Sequence, residues 1–593
     1  MPHHFTSING WLNRVANNVV QIQRYRWPCT LLVAMGFSTA CLGQGQEASL
    51  VITNANVITL DPKQPTAQAV AISDDRIIYV GDNAQALAMR SASGETLDLA
   101  GRTLIPGIIE AHAHFYSLGR SKQNVDLSGV ANYPELVATI KTAVAGAQPG
   151  DWIIGRGWHQ SKWNQTPQPN INGFPTHQAL SDVSPNNPVF LVHASGHAAM
   201  ANQRAMAVAG INAKTDFQGG GEIINDSVGN PTGIFTENAS MLISQHIGEP
   251  SASQRSQAYH LAMQEALRYG ITGFHDAGSS REDLAVFKSL GEQGELAIRL
   301  YAMVDGHDTT LVNEWLQQQP AIGLYNNFLT VRAIKLRADG ALGSRGAWLL
   351  EDYSDRPNHR GSATVAMAEL ERVAAAAYES GYQMAVHAIG DRANREVLDR
   401  FAAVFAKHTD SNKDHRFRIE HAQHLALDDI PRFQQLGVIA SMQSIHMSSD
   451  RPWAIDRLGL QRIQDGAYVW QKLLQSGAVV VNGTDSPVEP INPFANFYAA
   501  ITRKTLAGEP EQGYEAEQKM SRLQALTSMT QAAAYAAFEE DTKGSISVGK
   551  LADFAVLSQD IMQVAPADIL RTKALMTIVG GKTVYKDASI NQE

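Results

Sequence analysis

Leu370-Glu-Arg-Val-Ala-Ala-Ala-Ala-Tyr-Glu-Ser380-Gly381-Tyr-Gln-Met-Ala-Val-His387 holds one complete unit of the architecture: a helix, a glycine stop and an apolar strand. Gly just past the last helical turn is the usual left-handed cap. The unit recurs. Gln257 to Tyr269 reads as a helix, Gly270 stops it, and Ile271-Thr-Gly-Phe-His275 follows. Phe433-Gln-Gln-Leu436, Gly437 and Val438-Ile-Ala-Ser441 repeat it, as do Lys472 to Ser476, Gly477 and Ala478-Val-Val-Val481. Helices alternating with near-continuous apolar strands indicate parallel strands covered on both faces. Further strands are expected at Leu296–Ala302, Leu329–Leu336, Arg416–Glu420 and Thr103–His114. That makes eight, which favours a closed (β/α)8 TIM-like barrel over an open doubly wound sheet.

Outward from the barrel, both ends of the chain turn β-rich. Leu50-Val-Ile-Thr, Asn56 to Leu60, Arg76 to Val80 and Thr103 to Gly107 are strand-like runs bounded by Gly, Pro and Asp, and so are Ala555-Val-Leu, Met576 to Val579 and Thr583-Val-Tyr585. They are expected to form one small composite β-sandwich. The division is therefore a leader at 1–46, sandwich at 47–106, barrel at 107–535 and sandwich again at 536–593. Residues about 118–250 interrupt the alternation after the first barrel strand. So long a stretch is not a plain loop, and it is expected to be an inserted lid or subdomain.

Composition bounds the function. With 593 residues, 44% hydrophobic and 18% charged, the chain is neither disordered nor fibrous. A net charge of −10 without a basic run argues against nucleic acid as a partner. The leader carries Arg14, Arg24 and Arg26, then the apolar Thr30-Leu-Leu-Val-Ala-Met-Gly-Phe37, then Ser38-Thr-Ala-Cys41. Basic, apolar and then small residues form a signal-peptide pattern, so the chain is expected to be exported to the periplasm or secreted. Cys41 also fits a lipoprotein anchor, the one membrane contact considered. The only two cysteines, Cys29 and Cys41, lie in this leader, so a metal site in the body must use His, Asp, Glu or lysine-derived oxygen. Oligomeric state is left open.

The chemistry-bearing residues lie at strand ends. In Pro106-Gly-Ile-Ile-Glu-Ala-His112-Ala-His114, period two puts both imidazoles on one face, about 7 Å apart along the strand. His387 ends Met384-Ala-Val-His387, His421 ends Arg418-Ile-Glu-His421, and Asp485 ends Val479-Val-Val-Asn-Gly-Thr-Asp485. In a barrel all strand C-termini converge on one rim, where active sites sit. Lys335, in Ala333-Ile-Lys-Leu-Arg-Ala-Asp-Gly340, is costly in an apolar strand unless paired. Two readings stand: a salt bridge to Asp339 or another rim carboxylate, or a lysine carbamylated by CO₂, whose new carboxylate bridges two cations.

This constellation resembles the amidohydrolase superfamily, and within it the N-substituted formamide deformylase-like branch (amidohydrolase family 3). His112-Ala-His114 matches the first-strand motif, Lys335 the fourth-strand lysine, His387 the fifth strand, His421 the sixth and Asp485 the eighth. Gly270-Ile-Thr-Gly-Phe-His-Asp276, Val386-His-Ala-Ile-Gly-Asp391, Glu420-His-Ala-Gln423 and the run from Gly544-Ser-Ile to Gly549-Lys-Leu-Ala-Asp553 also match. In the insertion, so do Gly155-Arg-Gly-Trp158 and Ser195-Gly-His197. The resemblance implies the barrel, the sandwich, hydrolysis, and one or two divalent metals, often zinc.

The expected function is metal-dependent hydrolysis of a non-peptide C–N bond of amide type by a metal-bound hydroxide, with a small molecule as substrate. Histidine and carboxylate ligands suit Zn²⁺ without excluding Mn²⁺, Fe²⁺ or Ni²⁺. Asp485 is expected both to hold the metal and to move the proton from water to the leaving amine. Substrate contacts are assigned to His275, Arg345, Trp158 and His197; core packing for Trp158, and for its neighbours Trp152 and Trp163, and a surface ion pair for Arg345 are the competing readings. His424 is expected to support its loop, and His193 to line a pocket or serve structure. The same site would equally serve a cyclic imide, a dipeptide or an ester. A serine hydrolase lacks its Gly-x-Ser-x-Gly elbow here. A non-catalytic exported binding protein is the alternative from another class.

Overall fold

The computed structural model describes residues 47–592 apart from 161–162, 194–197, 219–220, 249, 344 and 409–413. The leader, with the expected signal peptide and Cys41, and His197 lie outside the described residues. The chain divides into two compact units: one made by the chain up to His114 together with everything from Gln264 on, the other by Phe115–Met263.

The first unit contains the barrel. Its strands are β1 (Ile108–Ala113), β2 (Ile271–Ser279), β3 (Arg299–Asp305), β4 (Leu329–Arg337), β5 (Gln383–Ala388), β6 (Arg418–His421), β7 (Ile439–Met442) and β8 (Val480–Asn482). They pair in chain order, every pair parallel. Ladder hydrogen bonds do not join β8 to β1. Instead Asp485 N–H donates to His112 O at 2.7 Å and His114 N–H to Ser486 O at 2.8 Å, just past the strand ends. The seam of the barrel is thus tied by the backbone of the residues that carry the chemistry.

The helix–glycine–strand reading holds in detail. Helix α1 (Met367–Ser380) ends at Gly381, with φ 81°, before β5; α2 (Ile430–Leu436) and α3 (Trp470–Ser476) end likewise at Gly437 and Gly477. Two strands differ from expectation. Thr103–His114 is not one strand: Thr103–Pro106 belongs to the sandwich and β1 starts at Ile108. Gly107 turns the chain between them, where a Cβ would lie 2.0 Å from Thr272 Oγ1. The third strand runs from Arg299 to Asp305 rather than from Leu296 to Ala302. Arg299 anchors its start, because its guanidinium meets Asp553 at 2.6 and 2.9 Å and also donates to Asn326 O and Asn327 O.

The sandwich is composite. One sheet orders Lys582–Lys586, Ala574–Val579, Phe554–Leu557, Thr103–Pro106, Asn56–Ile58 and Thr66–Ala67; the other orders Arg76–Gly81, Ala69–Ser73, Ala48–Thr53 and Arg90–Asp98. Ile52, Val70 and Leu104 from one chain end pack with Phe554, Val556 and Ile578 from the other in a single core.

The second unit follows β1 in the chain and has its own core. Its six-stranded sheet includes Ile153–Trp158, Val189–His193, Ala198–Ala201 and Pro231–Thr236. Helix Tyr133–Ala145 contributes Tyr133, Leu136 and Ile140 to a cluster with Trp158, Leu191 and Ile234.

Candidate active site

The site grows from β1. Along this strand Glu110 and His112 share one face, while Ile109 and Ala111 pack in an apolar cluster with Ala532 and Ala533. Glu110 is buried, and its carboxylate accepts His112 N–H at 3.0 Å, Thr484 N–H at 2.9 Å and Thr484 O–H at 2.8 Å. It stands in for the missing ladder between β1 and the chain after β8. Burial raises its pKa to about 7, against those hydrogen bonds. Gly483 leaves the room: a Cβ there would sit 2.4 Å from Glu110 Oε1.

His112, His421 and Asp485 come together with one ligand atom each within 4.8 Å of the others. His112 Nε2 lies 3.5 Å and His114 Nε2 3.1 Å from Asp485 Oδ1. The His112 and His114 rings are 5.8 Å apart and nearly perpendicular. His387 is adjacent, its ring 4.5 Å from that of His421. Lys335 is buried on β4, where burial pushes its pKa down against the pull of Glu420 and Asp485. Among the described residues it forms no ion pair with a carboxylate.

Each imidazole has its own support. Glu420 Oε2 lies 2.5 Å from His112 Nδ1, so that nitrogen donates and Nε2 presents its lone pair. Gln443 Oε1 accepts from His421 Nδ1 at 2.7 Å, with the same result. Asp339 Oδ1 lies 3.5 Å from His387 Nε2, and its carboxylate also accepts the N–H groups of Trp348, Ile389 and Gly390. Asp339 is therefore engaged with the loop and with His387, and the Lys335–Asp339 salt bridge is not formed. Burial raises Asp339 to about 7. Burial would also raise Glu420, but Arg418, 2.7 Å away through Nε, and His112 hold it well below the usual carboxylate range. Asp485 is likewise held low by His114, His112 and His421 against burial. Burial and the Lys335 charge lower His112 to about 4 and His387 to about 3, so both rings are neutral near pH 7.

Two backbone turns make this convergence. His421 has φ 75° and Asp485 φ 59°, a region side chains other than glycine rarely occupy. Period two alone would send Glu420 and His421 to opposite faces. The left-handed turn at His421 lets the pair face one centre, at a local cost of order 1–3 kcal/mol.

Other expected residues have partners of their own. His275 is buried and accepts from Arg418 Nη1 at 3.1 Å, so it props the guanidinium that holds Glu420. Arg345 forms a two-pronged ion pair with Asp355, at 3.0 and 2.7 Å. Trp158 is fully buried in the second unit, with its N–H given to Leu191 O at 2.9 Å. His193 Nε2 lies 3.1 Å from Gln160 Oε1. His424 faces Asp391 at 3.7 Å. Sequence reasoning passed over Glu110, Arg418, Glu420, Gln443 and His446. His446 sits in the first turn of the helix Ser444–Leu458, which starts directly after β7 and Gln443. A histidine on a helix carried no strand-end signal.

The donor set can be tested for a metal. In the cluster, His112 Nε2 and Asp485 Oδ1 are buried and lack an aligned hydrogen bond. Unpaired buried polar atoms cost about 1–3 kcal/mol each. A neutral imidazole nitrogen and a carboxylate oxygen without partners, with the His421 ring beside them, fit a divalent cation.

The sequence matches the model of the amidohydrolase family over residues 95–585. The chain belongs to the amidohydrolase family. It is thus a metal-dependent hydrolase acting on amide-type C–N bonds. This amidohydrolase is 33% identical over 553 residues to Protein LONG AFTER FAR-RED 3 of Arabidopsis thaliana, covering 91% of this chain and 92% of that one. It is 28% identical over 557 residues to N-substituted formamide deformylase of Arthrobacter pascens, covering 91% and 99%. An uncharacterized metal-dependent hydrolase of Pyrococcus furiosus superposes with a TM-score of 0.70 at 27% identity, covering 87% of this amidohydrolase and 100% of that structure.

Proposed function

We propose that this amidohydrolase hydrolyses a secondary amide of a small molecule, with an N-substituted formamide as the first substrate class to test. The carrying observation is the cluster of His112, His421 and Asp485, in which His112 Nε2 and Asp485 Oδ1 have no aligned hydrogen-bond partner. His112, His421 and Asp485 would hold a divalent ion, Zn²⁺ first among candidates, with His114 and His387 beside them. When bound, such an ion polarises the scissile carbonyl and acidifies water.

The chain's own residues do the rest. Glu420 and Gln443 fix the tautomers of His112 and His421. Asp485 accepts the proton of the attacking water as its oxygen bonds to the carbonyl carbon. The same proton passes to nitrogen as the C–N bond breaks, because an amine anion is a very poor leaving group. Lys335 is the candidate for carbamylation: its buried amine is shifted towards the neutral, nucleophilic form and has no carboxylate partner. Its nitrogen would add to CO₂ with loss of a proton, giving a carboxylate within the donor set.

The relative named as a formamide deformylase supports the substrate class. The test is hydrolysis of p-nitroformanilide and p-nitroacetanilide, followed by release of p-nitroaniline. Turnover that a chelator abolishes and a divalent metal restores supports the reading. Metal-loaded protein inert towards N-aryl and N-alkyl formamides and acetamides contradicts it.

A further inference from the structure

His446 has no part in the chemistry described so far, yet it lies in the site. It is buried, and its Nε2 has no hydrogen-bond partner. Its ring is parallel to that of His421, at 6.0 Å and 12°. The two oxygens of Asp485 face different neighbours: Oδ1 faces His112 and His114, whereas Oδ2 faces His446 Nε2 at 3.8 Å. The carboxylate therefore stands between His446 and the first-strand imidazoles.

That distance is too long for a direct hydrogen bond and suits one atom bonded to both groups. Once Asp485 has taken the proton of the attacking water its Oδ2 can donate, and His446 with its ring proton on Nδ1 offers Nε2 as an acceptor. An atom between them must donate to Nε2 and accept from Oδ2–H. An amide nitrogen with one hydrogen gains this pair of properties as its carbonyl carbon becomes tetrahedral: the N–H donates and the freed lone pair accepts. A carbonyl oxygen has nothing to donate.

We propose that His446 is a catalytic residue that binds the leaving nitrogen, holding it between Nε2 and Asp485 Oδ2 as the C–N bond lengthens. This rests on the hydrolase reading above. His446 keeps its own proton throughout; the proton delivered to nitrogen comes from Asp485 and originates in the attacking water. Fixing the N–H towards His446 Nε2 turns the freed lone pair towards Oδ2–H, which places the nitrogen for that transfer. The assignment selects secondary amides, whose nitrogen carries one hydrogen, over tertiary amides, which have none to donate.

The test uses two tetrahedral probes that differ at one atom, an N-benzyl phosphonamidate and the phosphinate with CH₂ in place of NH. Binding to the metal-loaded full chain is measured by calorimetry, and metal content by elemental analysis. In His446→Ala, affinity for the phosphonamidate is expected to fall about tenfold and affinity for the phosphinate to change less than threefold, as for loss of one hydrogen bond. Metal content is expected to stay at the wild-type value, and His446→Gln, whose amide oxygen retains an acceptor, to recover part of the loss. His446→Leu gives the same contrast if the alanine variant does not fold. An equal loss on both probes, or loss of metal in the variants, overturns the role of His446 and leaves the hydrolase reading in place. A wild-type chain that binds metal but neither probe overturns both.

Discussion

Two buried polar clusters sit at opposite ends of the barrel strands, and they differ in one respect. At the start of β3, Arg299 and Asp553 satisfy each other: two prongs of the guanidinium reach the carboxylate, the third nitrogen donates to two carbonyls, and Asp553 also accepts Gly580 N–H. Past the strand C-termini, His112 Nε2, His387 Nε2, His446 Nε2 and Asp485 Oδ1 lack aligned partners. The first cluster is complete without a ligand and fastens the sandwich to the barrel. The second is incomplete, and its completion is the function. A satisfied network contributes structure; one left open at comparable burial marks where something else binds.

The contrast can be broken from either end. The largest effect is expected for Asp485→Asn, with turnover about 10⁴-fold lower and thermal stability little changed, because it removes the proton carrier and a charged donor together. A variant that keeps more than a tenth of wild-type activity would dissolve the distinction. Arg299→Ala is expected to do the converse. Leaving Asp553 as a buried unpaired charge costs about 3–5 kcal/mol in denaturant unfolding, while activity per folded molecule stays at the wild-type level.

Glu420→Gln sharpens the comparison within the rim. It keeps the shape but loses the charge that orients His112, and metal affinity is expected to fall about 10- to 100-fold in competition with a chelator. Unchanged affinity would make Glu420 a packing residue. The smallest effect concerns Asp450, which faces His446, Glu489, Tyr468 and Ser449 and whose pKa burial raises from 3.8 to about 6. The folded chain then binds more protons than the unfolded chain between those values, so this contribution is intact below about pH 4 and is lost as pH rises through about 6. Asp450→Asn is expected to flatten that slope and to gain about 1 kcal/mol at pH 8, with little change at pH 4. Melting temperatures across that range would show it.

Much of this was legible in the residues. Alternation of amphipathic helix, glycine and apolar strand carries the barrel, and His112, His387, His421 and Asp485 are readable because strand ends converge. What was hidden follows from tertiary geometry. Glu420 should face away from His421 by strand periodicity, and only the left-handed turn at His421 brings both inward. His446 lies on a helix whose start depends on β7 ending at Met442, without a loop. The true start of β3 depends on Asp553, 254 residues away in the chain. Gly107 looks like a strand end, yet it passes one continuous run from one sheet to another.

The central claim is that the open cluster at the rim is a metal site. The most direct measurement is elemental analysis of the full chain, purified without chelator and with bicarbonate present, beside His112→Ala. The expected result is at least one divalent metal per wild-type chain and its loss in the variant at retained fold; a second metal, lost in Lys335→Ala, would add the carbamate. Wild-type protein that holds no metal and takes up none from added Zn²⁺ would contradict the account.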